Sequence, residues 1–312
     1  MADFAFVFPG QGSQSVGMLD AWGDHPAVRE VLEEASQALS EDIGRLIREG
    51  PKEALELTTN TQPVMLVAGI ACQRAWLAET GLSPAVVAGH SLGEYTALVA
   101  AGALTLSQAL PLVRLRAQAM QRAVPVGQGA MAAILGLDAA EIGRVCAEVQ
   151  AQTGQVVSAA NFNDPRQTVI SGAKAAVDAA CEALKAASAK RALPLAVSAP
   201  FHCALMKPAA DELKPVLQAT AFAAPAIAVI NNIDVQAPRE AAAIRDALYR
   251  QAFGPVRWVE IVQAMQARGV SAIIECGPGK VLSGMVKRIA PELRTTTVLD
   301  PASLAQAREL LA

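Results

Sequence analysis

The sequence predicts an α/β protein in which a large domain is interrupted by a small one, and three observations carry the prediction. Apolar runs at residues 4–8 and 85–88 each end in a glycine-rich bend, the pattern of buried strands feeding loops at the edge of an α/β sheet. Residues 126–198 follow a separate rhythm of short strands and amphipathic helices. The chain of 312 residues is 53% hydrophobic but only 4% aromatic, so its core is built from alanine, valine and leucine, which suits close packing of helices on a sheet. A chain of this size buries roughly three quarters of its extended surface, enough for one large domain or two unequal ones.

Residues 4–8 read as the opening strand, followed by Pro9-Gly10-Gln11-Gly12-Ser13-Gln14. This loop is not a dinucleotide fingerprint, because Ser15 stands where the third glycine is needed. Gly279-Lys280 is followed by Val281 and makes no phosphate loop. Residues 85–88 form the strand before Gly89-His90-Ser91-Leu92-Gly93, and residues 94–100 the helix after it. Strand, sharp bend and helix with a serine at the bend form a nucleophile elbow, whose flanking glycines are required because the strained turn leaves no room for side chains. Residues 95–113 carry no charge over nearly a membrane span, yet Gly102, Thr105, Ser107, Gln108 and Pro111 interrupt them, so they read as a helix end, a turn and a new helix.

Within 126–198, strands are expected at 130–135, 156–161, 168–171 and 192–197, with helices at 138–150 and 174–187. The order β-α-β-β-α-β is ferredoxin-like. It marks 126–198 as a small inserted domain, with 1–125 and 199–312 folding together as the large one. The second flank resumes α/β character: strand-like 226–230, helical 241–249, and strand-like 272–275 before Gly277-Pro278-Gly279.

A net charge of −3 and a pI near 5.7, with no basic run, argue against nucleic-acid binding. The first residues, Met1-Ala2-Asp3-Phe4, lack the positive charge of a signal peptide, and no membrane segment is expected, so a cytoplasmic location is expected. Five dispersed cysteines show no metal-ligand spacing and read as small buried hydrophobes of a reducing compartment.

Ser91 needs a base within hydrogen-bond reach, and the chain has three histidines. His25, in Gly23-Asp24-His25-Pro26, reads as a surface helix start. His90 adjoins the nucleophile, where alternation at the bend points it away, which leaves it a structural or cleft-lining role. His202, in Ser198-Ala199-Pro200-Phe201-His202-Cys203, lies where the insertion returns to the large domain and is the base by elimination. The group that orients it stays open among Glu275, a strand-end acid that follows the histidine in the chain, Asp211 and Glu212, these two reading more simply as solvent-facing charges, and a backbone or amide carbonyl. Arg114 and Arg116 lie two residues apart on one helix and read most simply as solvated helix charges. Arg116 shares a helix face with Leu112, Ala119 and Ala123, so it points inward, where an unpaired charge is costly.

Four segments, Phe8-Pro9-Gly10-Gln11-Gly12-Ser13-Gln14, Gly89-His90-Ser91-Leu92-Gly93-Glu94, Pro200-Phe201-His202 and Glu275-Cys276-Gly277-Pro278-Gly279, occur in an order and spacing that resembles the malonyl-CoA:acyl carrier protein transacylases. The resemblance spans essentially the whole chain. It implies an α/β-hydrolase-like large domain with a ferredoxin-like insert. The implied activity is malonyl transfer from malonyl-CoA to the phosphopantetheine thiol of acyl carrier protein, in support of fatty acid synthesis and with no metal or redox cofactor. It also implies residue roles: Ser91 acylated, His202 as general base and acid, the N–H groups of Gln11 and Leu92 as oxyanion hole, the Gln251 carbonyl orienting His202, and Arg116 binding the malonyl carboxylate. Phe201 precedes the base where the family varies with acyl group, and its ring favours malonyl over methylmalonyl. Asn161, read as ending a strand, is a further lining candidate, with a strand-end turn before Asn163-Asp164-Pro165 as its structural alternative. Lys185, Lys190 and Arg191, or Lys280, Lys287 and Arg288, are candidate basic patches for an acidic carrier. Rival readings are a malonyl transferase of a malonate decarboxylase or polyketide system, and a serine thioesterase or hydrolase using the same Ser91 and His202.

Overall fold

The structure, a computed structural model, describes residues 3–312. The chain opens with β1 (Phe4–Phe8), α1 (Pro26–Leu39), the short helices α2 (Ile43–Glu49) and α3 (Lys52–Glu56), and the long α4 (Thr58–Thr80). Strand β2 (Val86–Gly89) passes through the serine bend into α5 (Gly93–Ala100), and α6 (Leu106–Ala123) follows. Next come β3 (Gly129–Leu135), α7 (Ala139–Thr153), β4 (Val157–Asp164), β5 (Gln167–Ala173), α8 (Lys174–Ala186) and β6 (Arg191–Pro194). The last third holds α9 (Lys207–Ala219), β7 (Ala228–Ile230), α10 (Ala241–Gln251), α11 (Trp258–Ala267), β8 (Ala272–Cys276), α12 (Val281–Ile289), β9 (Arg294–Val298) and α13 (Pro301–Leu311).

Five parallel strands form one sheet in the order β7-β2-β1-β8-β9. Its central strands are apolar on both faces because helices cover both. Alternation along β1 divides its side chains: Phe4, Phe6 and Phe8 face a core shared with α1, α4 and α6, while Ala5 and Val7 face α11 and α12. Helix α4 is buried on almost every side, which explains its apolar composition all round. The uncharged stretch after Tyr95 resolves into the end of α5, a turn and α6, whose start is fixed by a capping box between Thr105 and Gln108. No helix among the described residues is long and apolar enough to cross a membrane.

The other four strands form an antiparallel sheet in the order β4-β5-β3-β6. With α7 and α8 on one face, this is the ferredoxin-like arrangement expected from the element order. The opposite face, through Met131, Ala133, Ala160 and Val169, packs on Met120 of α6, Met206 and the start of α9. Strand β4 is also tied by its backbone to the parallel-sheet part of the molecule. Phe162 N–H donates to the Val256 carbonyl at 2.9 Å, and Val256 N–H to the Ala160 carbonyl at 2.9 Å.

Two local expectations need correction. Strand β6 stops at Pro194 instead of reaching residue 197; after one further bond, from Leu195 N–H to the Met131 carbonyl, the chain leaves the sheet for the turn that carries His202. Asn161 does not end its strand, because β4 stays paired with β5 as far as Asp164 and the turn falls at Pro165-Arg166, where the Asp164 carboxylate accepts the Arg166 N–H.

Candidate active site

Ser91 stands at the carboxyl end of β2 with φ 53°, a left-handed conformation that costs a non-glycine residue energy. Two glycines allow the bend. A Cβ on Gly89 would fall 1.9 Å from the Gly93 carbonyl group, and one on Gly93 would fall 2.1 Å from the Phe8 carbonyl oxygen. The strain is held by Asn232, just beyond β7. Its Oδ1 accepts the Ser91 N–H at 2.7 Å, and its Nδ2 donates to the Gly89 carbonyl at 2.7 Å.

The Ser91 hydroxyl lies 2.6 Å from His202 Nε2. His202 itself has φ 61° and is buried. Its Nδ1 lies 3.1 Å from each of two backbone carbonyls, Gln251 and Gly254. With two acceptors on that side, the proton belongs on Nδ1, which leaves the Nε2 lone pair aimed at Ser91. Burial, with the neighbouring Arg116 and His90, lowers the His202 pKa to about 3, against the opposing pull of the two carbonyls. The imidazole is therefore neutral near pH 7 and able to take a proton from the serine.

The acids considered as orienting groups lie elsewhere. Glu275, buried at the end of β8, accepts the Ser283 N–H at 2.8 Å and secures the start of α12. Asp211 pairs with Lys207 and Tyr249, and Glu212 with Arg122, on the surface.

Arg116 and Arg114 separate cleanly. Arg114 points outward to Asn60 and Glu41. Arg116 is only 2% exposed; its Nη1 donates to Gln62 Oε1 at 2.7 Å, and its Nη2 donates to Gln251 Oε1 at 3.0 Å and the Ser91 hydroxyl at 3.2 Å. Its guanidinium carbon stands 5.5 Å from the centre of the Tyr95 ring. Arg116, Gln62, Ser91 and His202 border a cavity of about 330 Å³ between the two sheets, walled also by Gln11, His90, Leu92, Asn161 and Phe201. His90 Nε2 bonds Asn163 Oδ1 at 2.9 Å and its ring lies against Trp258, so it lines the cleft without contacting the Ser91 hydroxyl. The N–H groups of Gln11 and Leu92 meet no acceptor among the described residues. His25 occupies the N-cap position of α1 without a side-chain cap, its ring meets Glu79, and it is not among the residues lining the cavity.

Gln62, Glu94, Asn163 and Asn232 belong to this site and were not singled out as site residues from sequence. Buried Glu94 accepts from Asn232 N–H at 2.8 Å and Gln251 Nε2 at 3.1 Å, and burial pushes its pKa up to about 7. The available signal was its place directly after the second glycine of the serine motif. Asn232 was signalled only by a pair of amides closing a strand, and Gln62 by nothing short of the packing of α4 on α6.

A strained serine, a neutral histidine held by carbonyls, two free N–H groups and a buried guanidinium in one cleft form a site suited to acyl exchange on an anionic acyl group. Residues 5–300 match the acyl transferase domain family. The malonyl CoA-acyl carrier protein transacylase of Escherichia coli (strain K12) is 53% identical over 311 residues, covering 99% of this chain and 100% of the relative. That of Bacillus subtilis (strain 168) is 46% identical, covering 100% and 98%. The crystal structure of an acyl-carrier-protein S-malonyltransferase from Burkholderia pseudomallei 1710b superposes with a TM-score of 0.96 at 61% identity, covering 98% of this chain and 99% of that one. A type II PKS acyl-carrier protein in complex with its malonyl-transacylase gives a TM-score of 0.96 at 51% identity, covering 99% and 100%. The chain belongs to the malonyl-CoA:acyl carrier protein transacylase family of acyl transferases.

Proposed function

We propose that this protein moves a malonyl group from malonyl-CoA to the phosphopantetheine thiol of acyl carrier protein through a malonyl ester on Ser91, supplying fatty acid synthesis. The observation that carries the proposal is the convergence of Ser91, His202 and Arg116 on one cavity, with Ser91 bonded to both of the others. In the first half-reaction the Ser91 oxygen attacks the thioester carbonyl as His202 Nε2 takes the hydroxyl proton. The N–H groups of Gln11 and Leu92 receive the oxyanion; the Ser91 N–H, committed to Asn232, is not available for that role. Collapse breaks the C–S bond, and His202 returns its proton to the departing CoA sulfur. The carrier thiol then enters along the same path, loses its proton to His202, takes the malonyl group and restores the free serine.

Arg116 pairs with the malonyl carboxylate in both halves. Its planar fork suits a carboxylate, and an acetyl group leaves it unpaired in a desolvated site. Phe201, Asn161 and His90 shape the cleft around the acyl group. The proposed exchange uses side chains and backbone N–H groups and calls for no cofactor. The proposed setting is the cytoplasm. The proposed catalytic unit is 1–125 with 199–312 and the inserted unit 126–198, a division supported by the confinement of the antiparallel sheet to residues 129–194. Of the basic patches, the Lys280, Lys287 and Arg288 group is favoured for the carrier because it lies on α12 and its approach, where Val281 borders the cavity.

The type II PKS acyl-carrier protein bound by a structural relative keeps a polyketide carrier as a second reading. The test is intact-protein mass spectrometry after brief exposure to malonyl-CoA or acetyl-CoA, followed by addition of carrier protein. A malonyl adduct that is absent in Ser91→Ala, weak with acetyl-CoA and discharged onto the carrier is the expected result. Free malonate released as fast as CoA would establish a hydrolase instead.

A further inference from the structure

We infer that the neutrality of Arg116's two side-chain amide partners, Gln62 and Gln251, underlies acyl selectivity: they engage the guanidinium through uncharged oxygens and thereby reserve its charge for the substrate carboxylate. This deepens the proposed function and rests on Arg116 as the malonyl-binding residue.

A buried guanidinium ordinarily finds a carboxylate, since isolated buried charge is costly. Arg116 is buried and has a carboxylate close by, Glu94, yet the two make no ion pair. The Gln251 amide stands between them. Its Nε2 donates to Glu94 Oε2 at 3.1 Å and to the Ser91 carbonyl at 2.9 Å, while its Oε1 accepts from Arg116 Nη2 at 3.0 Å. Two acceptors on one side and a donor on the other fix the orientation of the amide. Gln62, reaching in from α4, fixes the opposite arm of the fork: its Oε1 accepts from Nη1 at 2.7 Å, and its Nε2 donates to the sulfur of Met120 at 3.9 Å.

An amide oxygen orients an N–H without cancelling the charge behind it, whereas a carboxylate does both. Glu94 is further muted, because burial drives it toward its protonated form and its Oε2 is already engaged by Asn232 and Gln251. The guanidinium is thus aimed and still electrically unsatisfied, with Nη2 beside the Ser91 hydroxyl. A carboxylate at position 62 would occupy the fork from within and compete with the acyl carboxylate.

The experiment compares kcat/KM for acylation by malonyl-CoA and acetyl-CoA in the wild type, Gln62→Glu, Gln62→Met and Arg116→Ala, with thermal unfolding as a check on folding. Gln62→Glu is expected to lower the malonyl-to-acetyl ratio by at least about tenfold, the change falling mainly on the malonyl KM. Gln62→Met removes the oxygen without adding charge, so the ratio is expected to stay within about threefold even where both rates fall. If Gln62→Glu keeps the wild-type ratio while Arg116→Ala collapses it, the inference is overturned and Arg116 keeps its role. If Gln62→Met alone collapses the ratio, positioning rather than charge governs selectivity and the inference is again overturned, whether or not Gln62→Glu folds. If Arg116→Ala leaves the ratio unchanged, the assignment of Arg116 fails and takes the inference with it.

Discussion

Lowering the pH tests the electrostatics of the site most directly. An ordinary histidine, with a pKa of 6.5, is only about 3% neutral at pH 5, so a reaction that needs its free base slows roughly thirtyfold between pH 7.5 and pH 5. Burial, Arg116 and His90 together lower the His202 pKa to about 3, which leaves the imidazole almost wholly neutral at pH 5. The pH profile of kcat/KM for Ser91 acylation, which reports the free enzyme, is therefore expected to stay flat to pH 5. Rapid-quench mass spectrometry of the acyl-enzyme measures it, with acetyl-CoA beside malonyl-CoA because the acetyl group carries no titrating carboxyl. Arg116→Ala removes the second-largest cause of the shift and should move the acid limb upward. A tenfold fall per pH unit starting near pH 6.5 in the wild type would refute the account of a desolvated, positively flanked base. The same shift has a cost in stability. Below pH 6.5 the unfolded chain takes up a proton at this position that the folded chain refuses, so stability present above pH 6.5 is lost as the pH falls toward 3.

Gly89→Ala forces a Cβ to within 1.9 Å of backbone atoms of Gly93, which have no rotamer by which to escape, and is expected to cost more than about 3 kcal/mol in urea unfolding; a variant of wild-type stability that still labels Ser91 would contradict the geometry of the bend. Phe201→Ser should raise labelling by methylmalonyl-CoA relative to malonyl-CoA by about tenfold, since one methyl group is worth roughly that much in a fitted pocket; an unchanged ratio would show that the ring does not limit the acyl group.

Much of this protein is legible in the chain because its information is local. Strand β1 and its glycine loop, the serine bend between Gly89 and Gly93, and the β-α-β-β-α-β rhythm depend on neighbouring residues whose turn chemistry and periodicity survive without a partner. The choice of His202 over two other histidines also followed from sequence, because so few candidates existed and one lay at a junction. The inward aim of Arg116 followed from the helical period.

Features set by long-range hydrogen bonds emerge only in the folded chain. Neither the end of β6 nor the true position of Asn161 within β4 could be read locally, since each is set by pairing with another strand. From residues alone the group behind His202 is open among acids and carbonyls, and folding places there the carbonyls of Gln251, the last residue of α10, and of Gly254 just beyond it, while sending Glu275 to α12. Gln62, Glu94, Asn232 and the Gln251 side chain lie up to 160 positions from their partners in the chain and carry no motif that pairs them. The serine bend, the junction histidine and the inward-facing arginine can be read along the chain because their spacing along strand, turn and helix is local; their hydrogen-bond partners and their charge states come from burial and from amides distant in sequence.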